Sequence, residues 1–208
     1  SSKIPYFASD LCVTDTDVQD IEADTEDALA ACFFNLNEKK VLYAKNIHER
    51  MYPASTTKIM TALVALDKGD LDAQTTVSKE AITFSESGVS TAKLKEGDVL
   101  TLRQLLYALL TVSANDAANV IAEQIAGSQD AFVEMMNQKA KKLGCTHTHF
   151  VNASGLPDEN HYSCAEDLAK IMRAGLKNAR FRKVLETVNY TIPATNLSAA
   201  RSLHTHVP

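Results

Sequence analysis

One stretch of the chain is apolar on almost every face of a helix. Residues 59–66 read Ile-Met-Thr-Ala-Leu-Val-Ala-Leu, with a single threonine among apolar side chains. Pro53 precedes this stretch where a proline favours the first turn of a helix, and Gly69 follows it where a glycine favours the end of one. A helix that is apolar all round is stable only when other elements surround it. The sequence therefore predicts a buried helix from Pro53 to about Asp67 at the centre of a folded domain.

The remaining patterns predict helices and short strands around this helix. Two β-prone runs, residues 28–35 and 40–46, flank a polar turn and predict a hairpin. Thr101 and Gln104 have the spacing of a capping box, and leucines at helical spacing follow them. The other expected elements are helices at 116–126, at 128–143 and from a second capping box at 163–166 towards 177, and a strand at 188–192. We expect an α+β fold in which a cluster of helices packs on a mostly antiparallel sheet.

Charge is distributed unevenly along the chain. Residues 1–27 hold eight acidic residues and one lysine, a net charge of −7, whereas residues 28–208 hold 20 basic and 18 acidic residues. We interpret residues 1–27 as an acidic leader or linker and residues 28–208 as one domain. The domain has no basic stripe of the kind that binds nucleic acid, and the sequence has no apolar run long enough to span a bilayer. These features favour a small molecule or a peptide as substrate.

Ser55 and Lys58 form an S-x-x-K at the start of the central helix. A spacing of three residues puts both side chains on one helical face. Burial and the positive end of the helix dipole both disfavour a charged lysine, so a neutral Lys58 can accept the proton of the Ser55 hydroxyl. The backbone N–H groups of the first turn are free to donate to an oxyanion. Taken alone, however, the pair is better explained as a serine at a helix start beside a lysine that extends to water.

Two further motifs concern the same chemistry. Ser90 and Lys93 form a second S-x-x-K, but they lie in a polar stretch without helical periodicity, so we do not expect them to react. Ser113 and Asn115 form an S-x-N between two predicted helices, where a hydroxyl and an amide can face a shared cleft. Taken alone, the S-x-N is better explained as helix capping by Asn115 or Asp116.

In combination, these motifs resemble those of the penicillin-binding D-alanyl-D-alanine carboxypeptidases, relatives of class A β-lactamases. The signature set of these enzymes is S-x-x-K, then S-D-N or S-x-N, then K-T-G. Three segments are similar to the family in its order: Pro-Ala-Ser-Thr-Thr-Lys-Ile-Met-Thr-Ala at 53–62, Ser-Ala-Asn-Asp-Ala-Ala at 113–118 and Phe-Val-Asn-Ala-Ser-Gly-Leu-Pro-Asp at 150–158. The resemblance extends from about residue 30 to about residue 203 and implies a β-lactamase/transpeptidase-like fold.

The resemblance also implies roles for four residues. Ser55 is the implied acylated nucleophile and Lys58 its base. Ser113 is implied to relay a proton to the departing amine, and Asn115 to hold the substrate amide. The implied substrate is a peptidoglycan stem peptide ending in D-Ala-D-Ala, and β-lactams are the implied inhibitors. The resemblance implies neither a metal nor an organic cofactor, and it implies an exported protein at the outer face of the cytoplasmic membrane or in the cell wall.

The third motif of the family is missing, because the 208 residues contain no K-T-G. Residues 95–97 and 142–144 share two of its three letters but lack the hydroxyl residue. In the family the K-T-G strand follows the region that residues 190–203 resemble, so we expect the domain to be incomplete at its C-terminus and the chain to be a poor or inactive enzyme. Loss of one oxyanion donor alone costs on the order of 10²–10³ in kcat. The alternatives are a non-catalytic domain that binds stem peptides or a partner, and a β-lactamase or esterase of the same superfamily.

Cysteine and histidine spacing gives no metal motif. The cysteines show no C-x-x-C spacing and their pairing is left open; they are Cys12, Cys32, Cys145 and Cys164. Cys32 lies in an apolar run and is expected to be a buried thiol. The H-x-H pairs at 147–149 and 204–206 have no third ligand near them in the sequence, so we expect no metal there.

Three acidic residues near the motifs occupy positions typical of helix caps and turns. Glu166 is assigned to the capping box at 163–166, and Asp158 and Glu159 are assigned to a turn. No residue therefore stands out as a deacylating base like that of class A β-lactamases. We expect a β-lactam to inhibit the protein and not to be destroyed by it.

Overall fold

The computed structural model describes residues 6–8, 13–14, 17–19, 31–35, 40–46 and 48–205. The helices are α1 (Thr57–Lys68), α2 (Leu102–Thr111), α3 (Asn115–Ala126), α4 (Gln129–Lys142), α5 (Ala165–Leu176) and α6 (Ala179–Leu185). The strands are β1 (Tyr6–Ala8), β2 (Val13–Thr14), β3 (Val18–Gln19), β4 (Ala31–Asn35), β5 (Lys40–Lys45), β6 (Gln74–Thr76), β7 (Val99–Thr101), β8 (Asn189–Ile192) and β9 (Arg201–His204). Single turns of 3-10 helix cover Ala54–Thr56 and Glu80–Ile82. Among these helices none is both long and apolar enough to cross a membrane.

Helix α1 lies at the centre of the molecule, as its composition predicts. Within the described residues it packs against each of the five other helices. Met60, Ala62 and Ala65 have no exposed surface, although they lie on different faces of the helix. Each buried methylene contributes about 0.8 kcal/mol to folding, so this helix is a large part of the hydrophobic stabilisation. Its first turn, which carries Lys58, is thereby held in a fixed position.

All strand pairs within the described residues are antiparallel. A three-stranded sheet has the order β3-β5-β4, and the other pairs are β1–β2, β6–β7 and β8–β9. The hairpin predicted at 28–35 and 40–46 is confirmed as β4 and β5, while residues 28–30 and 36–39 lie outside the described part of the chain. Helices clustered with antiparallel strands confirm the α+β prediction.

The acidic N-terminal stretch contributes to this sheet. Val18 pairs with Ala44, and Gln19 pairs with Tyr43. The backbone of these two residues extends the β4–β5 hairpin by one strand. A high acidic content does not prevent a short edge strand from pairing through its backbone. The boundary between a leader and the domain otherwise stays a prediction.

The strand predicted at 188–192 is confirmed as β8, and β9 pairs with it. The β8–β9 hairpin is attached to the segment before β7 through the buried carboxylate of Asp98, which accepts hydrogen bonds from Thr195, Ser198 and Arg201. Burial by itself raises the pKa of Asp98, but these hydrogen bonds outweigh it and hold the pKa below its ordinary value. Arg201 also donates to the Ala92 carbonyl at 2.6 Å.

The helix ends test the two predicted capping boxes. At α2 the box is confirmed: Thr101 Oγ1 accepts from the Gln104 N–H at 3.2 Å, and Gln104 Oε1 accepts from the Thr101 N–H at 3.0 Å. At α5 the box is wrong, because the N-cap is Cys164 and no side chain caps the helix. Ser163 is held instead in a backbone bridge with Met51, with two N–H···O bonds of 2.9 Å. A pairing with a residue so distant in sequence is not visible in a local pattern. Helix α6 was not predicted.

Candidate active site

The segment before α1 presents Ser55 to solvent. Ser55 lies in the 3-10 turn Ala54–Thr56, which runs directly into α1. Its side chain is exposed, and its hydroxyl makes no hydrogen bond to any residue that the structure describes. Ala54 has φ +45°, in the left-handed region that costs a residue with a β-carbon about 1–2 kcal/mol. A strained turn that ends in a free hydroxyl is typical of a functional segment.

Lys58 lies one helical turn later and is buried, with 3% of its surface exposed. Its Nζ donates to Asn115 Oδ1 at 2.9 Å and to the Ser154 carbonyl at 2.5 Å. Both acceptors are uncharged, so they offset the desolvation of an ammonium group less than a carboxylate would. Burial lowers the pKa of Lys58 to about 8. An appreciable fraction of the amine is therefore neutral near neutral pH and able to accept a proton.

The S-x-N segment joins α2 to α3 and meets Lys58 through Asn115. The Asn115 backbone N–H and its Nδ2 both donate to the Ser90 carbonyl, at 2.9 and 3.0 Å. Because Asn115 Oδ1 also accepts from Lys58 Nζ, both the oxygen and the nitrogen of the Asn115 side-chain amide are held by hydrogen bonds. Ser113 has φ +51° and is half-buried, and its hydroxyl, like that of Ser55, has no hydrogen-bond partner among the described residues. Helix capping does not explain this motif, because α3 has no side-chain cap.

The second S-x-x-K does not lie on a helix, and its segment supports the position of Asn115. The Ser90 hydroxyl donates to the Val112 carbonyl at 2.7 Å, and the Lys93 side chain is exposed. The buried carboxylate of Asp116 accepts from the N–H groups of Ala92 and Leu94 at 2.9 and 3.0 Å. Burial raises the pKa of Asp116, and these hydrogen bonds oppose that rise. Asp116 therefore holds the segment whose Ser90 carbonyl orients Asn115.

Sequence reasoning gave no role to a third segment that contacts Lys58. Its Ser154 supplies the second acceptor for the lysine, and Ser154 itself is held in a turn organised by Asn152. Asn152 Oδ1 accepts from the Gly155 N–H at 2.7 Å, and its Nδ2 donates to the Leu156 carbonyl at 3.0 Å. The Asn-Ala-Ser-Gly-Leu run within 150–158 was the available signal, but nothing in its spacing points to a lysine 96 residues away.

Gly155 brings this turn against the nucleophile segment. Its φ is +87°, and a β-carbon at this position would lie 1.9 Å from the Ala54 carbonyl oxygen. Such a contact is far inside the sum of van der Waals radii, so only glycine permits the approach. The turn at 152–156 thus fixes both the residue before Ser55 and the amine of Lys58.

A buried histidine fixes the other side of the first turn of α1. His161 Nδ1 accepts from the Val151 N–H at 3.0 Å, so Nε2 carries the proton and donates to Thr57 Oγ1 at 2.8 Å. Burial lowers the pKa of His161 to about 4, which keeps the ring neutral and this tautomer in place. His161 acts through Thr57 on the position of α1, which also carries Lys58.

The remaining sequence candidates lie elsewhere. Asp158 and Glu159 are exposed, and Asp158 forms a turn by accepting from the Asn160 N–H at 2.8 Å. Glu166 is buried and pairs with His48 and Lys170, at 2.6 and 2.7 Å, and not with the start of its helix. Cys145 and Cys164 are buried free thiols. Predictions on Cys12, the Cys32 side chain and His206 fall outside what the structure describes.

A profile of the D-alanyl-D-alanine carboxypeptidase family, peptidase S11, matches residues 17–201. The chain belongs to this family. It is 40% identical over 164 residues to D-alanyl-D-alanine carboxypeptidase DacF of Bacillus subtilis, covering 77% of this chain and 42% of DacF. It is also 40% identical over 164 residues to DacB2 of Mycobacterium tuberculosis, covering 78% of this chain and 55% of DacB2. The chain thus spans about half the length of the curated relatives it matches.

Solved structures of this peptidase family agree with the fold. The R248L mutant of the Streptomyces K15 DD-transpeptidase superposes with a TM-score of 0.79 at 33% identity, over 86% of this chain and 74% of that one. A D-alanyl-D-alanine carboxypeptidase from Mycobacterium tuberculosis H37Rv gives a TM-score of 0.73 at 35% identity, over 80% of this chain and 62% of that one. The expected transpeptidase-like fold is confirmed.

Proposed function

We propose that this chain supplies the acylation machinery of a serine-type D-alanyl-D-alanine carboxypeptidase, with Ser55 as nucleophile. One observation carries the proposal: an exposed serine, unbonded within the described part of the chain, lies one turn before a buried lysine whose pKa is about 8. The lysine contacts Asn115 of the second motif directly. Family membership supports the same chemistry.

In the proposed acylation step, Ser55 Oγ attacks the carbonyl carbon of the penultimate D-Ala. Neutral Lys58 takes the hydroxyl proton as the new C–O bond forms. The oxyanion that develops accepts from backbone N–H groups at the start of the helix, which have no partner within it. The positions of the lysine amine and of the serine turn are set before substrate arrives, since α1 and the turn at 152–156 fix them.

The second half of acylation breaks the amide C–N bond and releases D-Ala. The leaving nitrogen needs a proton, and the proposed relay from Lys58 is the hydroxyl of Ser113, two residues before Asn115, which has no hydrogen-bond partner among the described residues. Asn115 is the proposed contact for the substrate amide, a role that requires its hydrogen bond to Lys58 or to Ser90 to be exchanged. Water then hydrolyses the ester and returns the proton to Ser55 Oγ.

The proposed substrate class is the peptidoglycan stem peptide ending in D-Ala-D-Ala, and β-lactams are proposed to acylate the same serine. Because peptidoglycan lies outside the cytoplasmic membrane, an exported protein is part of the proposal. Compared with a binding domain that turns nothing over, the enzyme is favoured by the lowered pKa of Lys58, since binding alone needs no base.

The test is to incubate the chain with benzylpenicillin and locate the adduct by mass spectrometry of its peptides. We expect one penicilloyl group on Ser55 of the parent chain and none on a Ser55→Ala variant. A Ser90→Ala variant should carry the same adduct on Ser55 as the parent chain. The Ser90 variant is the matched control, because it removes the serine of the other S-x-x-K. An adduct on Ser90, or one that survives Ser55→Ala, would overturn the proposal.

A further inference from the structure

Two histidines and a cysteine from three distant segments meet on the side of α5. They are His48 from the turn after β5, His147 from the α4–α5 loop and Cys164 from the N-cap of α5. One nitrogen of each ring and the Cys164 sulfur all lie within 4.8 Å of one another. The two rings have centroids 5.5 Å apart. None of these side chains has a part in the proposed acylation.

Each imidazole has its Nδ1 beside an oxygen atom, and neither Nε2 has a hydrogen-bond partner among the described residues. His48 Nδ1 lies 2.6 Å from a carboxylate oxygen of Glu166, and His147 Nδ1 lies 3.0 Å from the Thr146 hydroxyl. A histidine whose Nδ1 meets a carboxylate or another oxygen presents Nε2 outward, and metal-binding histidines in proteins usually have this arrangement. Cys164 adds a buried thiol that is neither oxidised nor used as a helix cap.

The backbones that carry the three side chains are held by contacts independent of any ligand. Ser163, next to Cys164, bridges to Met51 by two hydrogen bonds of 2.9 Å, which brings the segment of His48 to α5. The His147 N–H donates to Asp167 at 2.8 Å. The backbone positions of these residues are therefore built into the fold.

We propose that His48, His147 and Cys164 bind one Zn²⁺ ion, with Glu166 as the carboxylate partner of His48. Two imidazoles and a thiolate suit zinc, whereas Mg²⁺ and Ca²⁺ take oxygen ligands. Tetrahedral zinc ligands lie about 3.3–3.6 Å apart, so the side chains close by about 1 Å on binding. The His48 side chain is 36% exposed, which leaves it free to move and gives the ion a route in. A fourth position stays open to water.

Zinc at this place ties the segment that leads to Ser55 to the first turn of α5. This proposal departs from the expectation, drawn from the sequence, that the H-x-H pair at 147–149 holds no metal, because the other two ligands, His48 and Cys164, come from distant parts of the chain. His149 Nδ1 contacts the Asn160 carbonyl at 2.6 Å, and its ring lies beside Tyr162 and not in the cluster. His149 and the second buried thiol, Cys145, are therefore matched controls.

The experiment titrates the metal-free chain with Zn²⁺ against a chromophoric chelator and, in parallel, with Co²⁺. We expect one ion per chain and, with cobalt, the near-ultraviolet charge-transfer band of a thiolate ligand. Cys164→Ser should abolish the band, and His147→Asn or His48→Asn should lower zinc affinity by at least the 10–100-fold that loss of an outer-shell partner costs. Cys145→Ser and His149→Asn should bind like the parent chain.

His147 is exposed, so His147→Asn is the variant that tests the site without removing the partner of the buried Glu166 carboxylate. Absence of stoichiometric zinc binding by the parent chain overturns the proposal. So does a cobalt band that persists in Cys164→Ser, or affinity that falls equally in His147→Asn and His149→Asn. Each readout is a binding measurement and is independent of whether Ser55 is acylated.

Discussion

Lys58 is buried without a carboxylate partner among the described residues, and the desolvation of its ammonium group is the physical reason for its lowered pKa of about 8. Below that pH most of the amine is protonated and unable to accept the serine proton. We expect the rate of acylation by a chromogenic β-lactam to rise about tenfold per pH unit below pH 8 and to level off above it. The rate is measured from about pH 6 to about pH 10. A rate that is flat across this range would contradict the role of Lys58.

Two variants distinguish a lysine that accepts a proton from a lysine that only supplies a positive charge. Lys58→Arg should abolish acylation, because a guanidinium remains protonated throughout this range. Lys93→Arg, at the exposed lysine of the other S-x-x-K, should leave both the rate and its pH profile unchanged.

His161 leads to a prediction about acid stability. Its pKa is lowered to about 4 in the folded chain, below its ordinary value near 6.5, so the unfolded chain binds the proton more readily. Its contribution to stability is complete above about pH 6.5, decreases as the pH falls, and is lost below about pH 4. The difference corresponds to about 3 kcal/mol.

The measurement compares urea unfolding of the parent chain and His161→Gln at about pH 7 and about pH 4. Gln cannot titrate, so the parent chain should lose about 3 kcal/mol more than the variant over this interval. Equal losses in the two chains would show that His161 is not a neutral, buried partner of Thr57.

At the scale of elements, the approach of the 152–156 turn to the start of α1 depends on Gly155. Gly155→Ala adds a β-carbon 1.9 Å from the Ala54 carbonyl oxygen, in a backbone with φ +87°. Left-handed strain costs about 1–2 kcal/mol and overpacking adds about 1–3 kcal/mol. We expect this variant to lose stability by both terms and to be acylated more slowly, because the turn that carries Ser55 has to shift.

Gly127→Ala is the control for strain alone. Gly127 ends α3 with φ +83°, and a β-carbon there would have nothing within 4 Å. Urea unfolding should show only the strain cost, and penicillin acylation should stay at the parent rate. If both variants lose the same stability and keep the same acylation rate, the close approach of Gly155 does not position Ser55.

At the scale of the whole molecule, the 208 residues bring two of the three family motifs together and contain no K-T-G. The third motif is the expected source of a second oxyanion donor and of the grip on the substrate carboxylate. We expect this chain to release D-Ala from a D-Ala-D-Ala peptide on the order of 10²-fold or more below a family member that carries all three motifs. The two are assayed side by side at equal concentration. Equal rates would show that the third motif is dispensable.

The sequence by itself determined the central helix, the hairpin of β4 and β5, the strand β8 and the pair of Ser55 and Lys58. These features are local: apolar periodicity, turn residues and a spacing of one helical turn are all legible within a few residues. The local sequence was sufficient to predict the capping box at Thr101. It was not sufficient at Ser163, which forms a backbone bridge with Met51 and does not cap the helix.

Only the tertiary structure decided what surrounds the lysine and which side chains meet. Asn115 and Ser154 reach Lys58 from 57 and 96 residues away, and His161 reaches Thr57 from 104. The lowered pKa of the lysine and the cluster of two histidines and a cysteine on α5 follow from such contacts. Desolvation and ligand geometry depend on distances in space, and a linear pattern records only distances along the chain.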